Sequence, residues 1–458
     1  MIENDAFKLL LINLFHLNPD DIANILCTTF NKMMVLIVTL TDKHQACPYC
    51  GFTAPTIKEY VTKEITHSAL TTQKCIIKYR ARRYKCSCCG KTYYEFNPFV
   101  FKSQKISILT VHNILKDLKD FNETFTSVAR RYHVSPTSVS TIFDKHVDIG
   151  RNPLPEIINF DEVYAFKSEK SKYVCVLLDF KKQIPVDVLP NRKKEYLLNY
   201  FQKIPLEERK KVKYACSDMY EVYRDVVHKV FPSCCMLLDY FHLSQDFHRK
   251  MNEVRIKVMK GYKDNKASDE YYLLKKFNWL LFKNPEDEDK YGRLFDVERE
   301  RKYNSHFKSY MNYYDLRKKL LEINNDLTIC YSLKLELVDF YSKSTIDNAK
   351  VNLENLIRSC IDTNIDEMIA FSNNLINWKQ EIINSFTIVG TEYKVEADKG
   401  QVVVCNKKVN NAIIENRNKI IKCIKNNANG YTNWSRFRNR VMYVLDPNAT
   451  FSLEPREK

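Results

Sequence analysis

Glycine is nearly missing from this sequence: 8 residues in 458, against ~7% in an average protein. The eight are Gly51, Gly90, Gly150, Gly261, Gly292, Gly390, Gly400 and Gly430, and no two stand closer than ten residues. Dinucleotide fingerprints and Walker-type loops need closely spaced glycines, because side-chain-free backbone must approach phosphate. Kinase, ATPase and nicotinamide-dehydrogenase chemistries are therefore excluded. Long apolar runs are missing too. The longest, Met33–Leu40 with one threonine inside, falls far short of the ~20 residues that span a bilayer. The first residues, Met-Ile-Glu-Asn-Asp, are acidic where a signal peptide would be basic. The 15 cysteines are odd in number and include close pairs, which in a cytosolic chain suggests metal binding over a disulfide framework. A soluble, cytoplasmic protein without membrane contact is expected.

Positive charge is in excess, with 72 Lys and Arg against 56 acids and a formal net charge of +16. A chain rich in Lys, Asn and Ile and poor in Gly is also what AT-rich coding produces, so position says more than number. Residues 71–91 hold seven cations and no acid, and residues 405–440 hold nine cations and one acid, Glu415. Such clusters are an electrostatic footprint for polyanions.

At ~150 residues per domain the length suggests about three domains. Residues 1–45 read as a short helix and then the strand Met33–Leu40. An N-terminal zinc-binding domain is expected over 1–100 and a helix-turn-helix domain over 101–150. Five short apolar runs follow: Ile157–Phe166, Tyr173–Phe180, Ile184–Leu189, Val212–Cys216 and Cys234–Leu238, with a helical stretch Lys193–Phe201 between them. That alternation predicts an α/β sheet domain, built from 151–245 and 387–458 and interrupted by an all-helical insertion over 246–386. In the insertion, the charged run Asn284–Arg301 reads as a solvated loop and helix face.

Cys47-Pro-Tyr-Cys50-Gly and Cys86-Ser-Cys-Cys89-Gly are two matched C-x-x-C-G turns. Four thiolates from two such turns suit tetrahedral Zn²⁺, and a glycine after each pair lets the chain leave at positive φ. Cys47, Cys50, Cys86 and Cys89 are the expected structural zinc ligands, with Cys88 as a competitor and Cys75 as core. Arg80, Arg82, Arg83 and Lys85 beside the second turn are expected to face DNA. Farther on, Thr126–His146 reads as helix, turn, helix, with Ser135 as N-cap and Pro136 at the first helical position. Val139, Ile142 and Phe143 form the inner stripe of the second helix. Thr137, Ser138, Thr141 and Lys145 point outward, where groove or phosphate contacts would be made.

In the sheet domain Asp161 lies inside the first run, Asp218 directly follows the run ending at Ser217, and Asp239 follows Leu238. Acids at the ends of apolar strands stand where open α/β sheets place their ligands. Period-two alternation puts Asn159, Asp161 and Val163 on one face and Phe160, Glu162 and Tyr164 on the other. On the helix around Glu415, Ile413, Ile414, Ile420, Ile421 and Ile424 share one arc, and Glu415, Lys419 and Lys422 lie opposite.

The stretch Glu415–Arg440 resembles the C-terminal signature of insertion-sequence transposases of the ISL3 family. Asn159-Phe-Asp-Glu162, Ser217-Asp-Met-Tyr220 and Leu238-Asp-Tyr-Phe-His242 resemble that family's other motifs, in order, over roughly 45–445. The resemblance implies an RNase H-like DDE catalytic domain with Asp161, Asp218 and Glu415 as the triad, and Mg²⁺ (or Mn²⁺) held between them. Asp239 and His242 are auxiliary in this reading, and Glu162 and Asp239 are rival ligands. It further implies DNA cleavage and strand transfer at terminal inverted repeats of double-stranded DNA, by a homodimer on DNA. Arg436, Arg438 and Arg440 alternate with Trp434 and Phe437, which suits phosphate clamping beside Lys419 and Lys422.

Overall fold

The computed structural model describes residues 2–43, 46–68, 70, 72–101, 104–166, 171–395 and 402–456. The chain opens with α1 (Ile2–Leu14), followed by β1 (Ile22–Phe30), β2 (Met33–Leu40), β3 (Thr56–Thr66), β4 (Cys75–Lys85) and β5 (Thr92–Tyr94). These strands form one sheet in the order β1-β2-β4-β3, with β5 on β4. Strand β1 was not expected. Only Ile22 and Ile25 of its nine residues are buried, so it lacks the alternation that would mark a half-buried strand. It pairs with β2 through the two-residue turn Asn31-Lys32, both at positive φ, the geometry that matches strand twist in a tight hairpin. Leu11 and Ile12 of α1, with Phe15 just beyond its end, pack onto Ile25, Leu36, Val38, Ile77 and Tyr79.

Three helices follow: α2 (Ile108–Asp117), α3 (Phe125–Arg131) and α4 (Pro136–His146). The Ser135 hydroxyl accepts from Ser138 N, capping α4 ahead of Pro136. Val128, Ala129, Val139, Ile142 and Phe143 close their shared core.

The second sheet contains β6 (Ile157–Val163), β7 (Val174–Asp179) and β8 (Pro185–Leu189), then α5 (Lys194–Gln202), α6 (Leu206–Arg209), β9 (Tyr214–Ser217), α7 (Glu221–Val230) and β10 (Cys235–Leu238). All five strands lie within the expected apolar runs or overlap them closely. Their order is β10-β9-β6-β7-β8, with β6, β9 and β10 parallel and β7 antiparallel to both neighbours. Helices α5 and α7 cover one face. The C-terminal helix pair covers the other. Burial on both faces explains why these strands read as continuous apolar runs.

Between β10 and that pair lies a largely helical region with its own core. It contains α8 (Tyr240–Lys260), α9 (Asp269–Lys276), α10 (Tyr313–Glu322), α11 (Asn325–Lys343), α12 (Ala349–Asp362), α13 (Asp366–Asn377) and α14 (Lys379–Asn384). The expected boundary at 245/246 falls inside α8, which starts at the end of β10 and carries the chain from sheet to insertion without a break. Nor is the insertion all helical. The run expected as a loop and helix face holds the short hairpin β11 (Glu288–Asp289) and β12 (Gly292–Arg293), with Gly292 at φ +96°. A second hairpin, β13 (Lys302–Asn304) and β14 (Ser309–Met311), follows it. The hairpin of β15 (Ile388–Val395) and β16 (Val402–Lys408) then leads into α15 (Ala412–Asn427) and α16 (Trp434–Leu445). Among the described residues, no helix is long and apolar enough to cross a membrane.

Candidate active site and metal centres

Three parallel strands bring three carboxylates to one edge. Asn159 pairs with Cys216 across β6 and β9, and Leu238 pairs with Ser217 across β10 and β9. Continuing that register sets Asp161, Asp218 and Asp239 side by side at the carboxyl ends of β6, β9 and β10. The backbone N–H of Asp239 donates to Ser217 O at 3.0 Å, which holds the two strand ends together. A cleft of about 440 Å³ opens there, lined by Glu162, Arg192, Asp218, His242 and Arg249 among others.

Helix α15 supplies the fourth carboxylate. Its buried stripe is Ile414, Asn418, Ile421 and Ile424, packed on Val163, Val174 and Val176. Glu415 therefore sits half-buried at the margin of that stripe, in the first turn, where the helix dipole favours an anion. Its Oε1 lies 3.7 Å from His242 Nε2, and Asp239 Oδ2 lies 3.8 Å from the same nitrogen. Ligand atoms of Asp239, His242 and Glu415 lie within 4.8 Å of one another. Asp218 Oδ1, Asp239 Oδ2 and His242 Nε2 are buried without a hydrogen-bond partner. Lone pairs left bare in this way are costly unless a cation takes them.

The electrostatics agree. Burial, reinforced by the Asp218 and Glu162 charges, pushes the Asp161 carboxyl up to about 7. Burial and the Glu162 charge raise Asp218, and burial raises Asp239. Clustered acids that resist ionisation mark a functional site. Glu162 points to the opposite face of β6 from Asp161, as alternation required, and pairs with Arg192 while accepting from Tyr223 Oη at 3.4 Å. The Arg192 guanidinium lies 4.6 Å from the rings of both Tyr173 and Tyr220.

Two features of this region were not foreseen. One is Arg192. The other is a set of asparagines that fastens α15 to β6: Asn159 Nδ2 donates to Asn410 O at 2.8 Å and Asn411 Oδ1 at 2.7 Å, and Asn418 Nδ2 donates to Asp161 Oδ2 at 2.8 Å. The available signal was Asn418 itself, a polar residue in the slot of a helical stripe where isoleucine stands above and below.

Flanking β3 and β4 of the N-terminal sheet, Cys47, Cys50, Cys86 and Cys89 converge, with all four sulfurs within 4.8 Å. The Sγ–Sγ distances are 3.7 Å for Cys47–Cys89 and 3.5 Å for Cys50–Cys86, close to the edges of a tetrahedron around a metal with ~2.3 Å bonds. Gly51 and Gly90 close the two turns at φ +74° and +71°, each N–H donating to the carbonyl of the first cysteine. Cys88 is exposed and outside the cluster, and Cys75 lies in the core of the N-terminal sheet.

The cations expected to face DNA separate into two groups. Arg80 and Lys85 are exposed, as are Thr137 and Thr141 on α4 and Lys419 and Lys422 on α15. Ser138 and Lys145 are half-buried, and Ser138 shares a hydrogen bond with Ser135. Arg82 pairs with Glu95, and Arg83 with Glu59.

Arg436, Arg438 and Arg440 depart from the phosphate-clamp reading, because all three are spent inside the protein. Arg436 pairs with Asp144, Arg438 with Asp187, and Arg440 donates to the carbonyls of Asp120 (2.8 Å) and Glu123 (2.7 Å). Arg440 is 1% exposed. Arg436 and Arg440 fasten α16 to the three-helix unit, and Arg438 fastens it to β8. Arg440→Met removes both of these part-buried hydrogen bonds, at ~1 kcal/mol each. A loss of about 1–3 kcal/mol is therefore expected in equilibrium denaturation, against little change for Lys422→Met.

The model of the ISL3-type DDE family, described as "Transposase", matches residues 158–397. That span contains Asp161, Asp218, Asp239 and His242, and Glu415 lies beyond it. The transposase for insertion sequence element IS1001 of Bordetella parapertussis is 19% identical over 411 residues, covering 89% of this chain and 91% of that protein.

Proposed function

The chain belongs to the ISL3-type transposase family, and from that premise we propose that it cuts and joins DNA at the ends of an insertion sequence. The β10-β9-β6-β7-β8 sheet with helices on both faces supports an RNase H-like catalytic domain. Asp161, Asp218 and Glu415 are its DDE triad in this reading. The observation that carries it is that Asp218 and His242 line one cleft, with Asp161 beside Asp218 in the strand register and Glu415 Oε1 3.7 Å from His242 Nε2, although the three acids come from segments 57 and 197 residues apart.

The donor set fits a divalent cation, since it offers several carboxylate oxygens and three buried ligand atoms without a partner. Magnesium favours such oxygen-rich sites, and when bound it makes water or a 3′-hydroxyl a better nucleophile and takes charge from the leaving oxygen. The protein's part is to hold the ligands. Asn418 fixes the Asp161 carboxylate, and Asn411 N donates to Asp239 Oδ1 at 3.1 Å. Asp239 and His242 are auxiliary, with His242 spanning the space between Asp239 and Glu415. Arg192, Arg249, Lys419 and Lys422 supply positive charge around the acids, where a phosphodiester backbone would lie. Thr137, Ser138, Thr141 and Lys145 on α4, with Arg80 and Lys85 near the cysteine cluster, are the proposed contacts to double-stranded terminal repeats.

Incubating the full chain with terminal-repeat DNA and Mg²⁺ tests the reading. Cleavage and strand transfer are expected for the native chain and neither for Glu415→Gln or Asp218→Ala. If all three cut equally poorly while still binding the repeat, the chain is a DNA-binding protein without this chemistry.

A further inference from the structure

The N-terminal sheet has two edges, and they are treated in opposite ways. Strand β3, at one edge, carries Lys58, Glu59, Lys63 and Glu64 among its 11 residues. Charges of this kind keep an edge from pairing with other chains. Strand β1, at the other edge, has nine residues and no charge. From Ile22 to Leu40 the only ionisable side chain other than cysteine is Lys32, in the hairpin turn. This is a chain in which 28% of residues are charged. Next to the bare edge, apolar side chains stand in water. Leu26 is 55% exposed and Phe30 63%, both on the sheet face away from α1, with Leu26 opposite the 47% exposed Ile37 of β2.

Helix α1 shows the same pattern on the opposite face of the sheet. Leu11 and Phe15 bury one stripe in the core. Phe7, Leu10 and Leu14, spaced i, i+3 and i+7, form a second stripe that is about half exposed. A helix with two apolar stripes is built to bury both.

We infer that the β1 edge and the outer stripe of α1 form the surface on which two copies of this chain join. Antiparallel pairing of β1 with the same strand of a second copy satisfies both rows of bare backbone groups. The twofold axis of such a pair stands perpendicular to the sheet, so like faces stay together. The α1 stripes then meet above the seam, and Leu26 and Phe30 meet their counterparts below it. One patch thus complements itself, as a twofold interface requires. Charge selects the occupant. Two chains of +16 each repel unless the strip between them is neutral, and a strip without cations offers nothing to nucleic acid.

The inference deepens the transposase reading, since joining two DNA ends calls for two copies, yet its test needs no DNA. Sedimentation of the full chain at micromolar concentration is expected to give twice the 54.2 kDa of one copy. Leu26→Lys combined with Phe30→Lys, and separately Leu10→Lys combined with Leu14→Lys, are expected to halve that mass. Circular dichroism and zinc content should stay unchanged, because all four side chains are exposed. A native chain that sediments as a monomer, alone or with a different protein bound, overturns the inference. So does a dimer that survives both double substitutions. Failure of DNA cleavage in the native dimer would count against the transposase reading and leave this surface standing.

Discussion

Asp161→Asn is expected to abolish DNA cleavage and, above neutral pH, to make the metal-free protein more stable. Both results come from one carboxylate held where its charge is unwelcome. The folded value of about 7 exceeds the ordinary 3.8, so the folded state holds this proton more tightly than the unfolded chain does. Its contribution to stability is complete below pH 4 and is lost as pH rises to 7. At 1.36 kcal/mol per unit, the three-unit difference amounts to at most about 4 kcal/mol. The asparagine variant has no such slope, so its advantage should open between pH 4 and pH 7 and then stay constant. The exchange is sterically quiet. Asn418 Oδ1 has no partner, and flipping that amide offers an acceptor to the new NH₂ group. Thermal denaturation across pH, with and without Mn²⁺, reads the effect. Divalent cation should raise the midpoint of the native chain more at pH 8 than at pH 6, by linkage to carboxylate ionisation. A variant that is less stable than the native chain at pH 8 would contradict this account.

Loss of the metal at the cysteine cluster is the second large effect expected. Between the two turns, strands β3 and β4 pair along ten residues, and the four sulfurs tie their far ends together. Cys47 and Cys86 are buried beside Tyr84 and Tyr93 in a cluster too small to hold a fold by itself. A four-thiolate zinc site supplies folding free energy outright. The native chain should therefore carry one zinc ion. Cys86→Ser should carry none and should open the ends of β3 and β4 to proteolysis, while the α2–α4 unit and the second sheet keep their resistance. Cys88→Ser, outside the cluster, should retain the metal. Elemental analysis followed by limited proteolysis decides it, and a metal-free native chain with the same cleavage pattern would refute it.

Much of this architecture could be read from the residues, for a physical reason. Strands buried on both faces carry few polar side chains, so they read as near-continuous apolar runs. The acids that close such runs, Asp218 and Asp239, therefore stood out, and alternation alone separated Asp161 from Glu162. Strand β1 was illegible because most of its side chains meet water and its partner is two residues away. The arginines of α16 were misread because alternating Arg and aromatic residues look alike whether they meet phosphate or a neighbouring helix. Only partners distant in sequence, the carboxylates of Asp144 and Asp187 and the carbonyls of Asp120 and Glu123, distinguish the two. Asn418 does not stand out in the sequence because its acceptor belongs to a strand 257 residues away.

The fastening of α16 has a metrical consequence. Beyond α16 the tail runs back along α4: Ser452 N donates to His146 O, Arg456 N to Lys145 O, and Arg456 also pairs with Asp148. With Tyr443 Oη on Leu115 O and Lys119 Nζ on Asp446 O and Ala449 O, the three-helix unit is tied at many points to the helix that covers the second sheet. It does not hang from a tether. For a duplex seated on α4, the distance to the acids is then a fixed length of protein, counted off in base pairs. The protein would act as a ruler, with the break placed by its offset from the bound sequence, whatever bases stand at the cut.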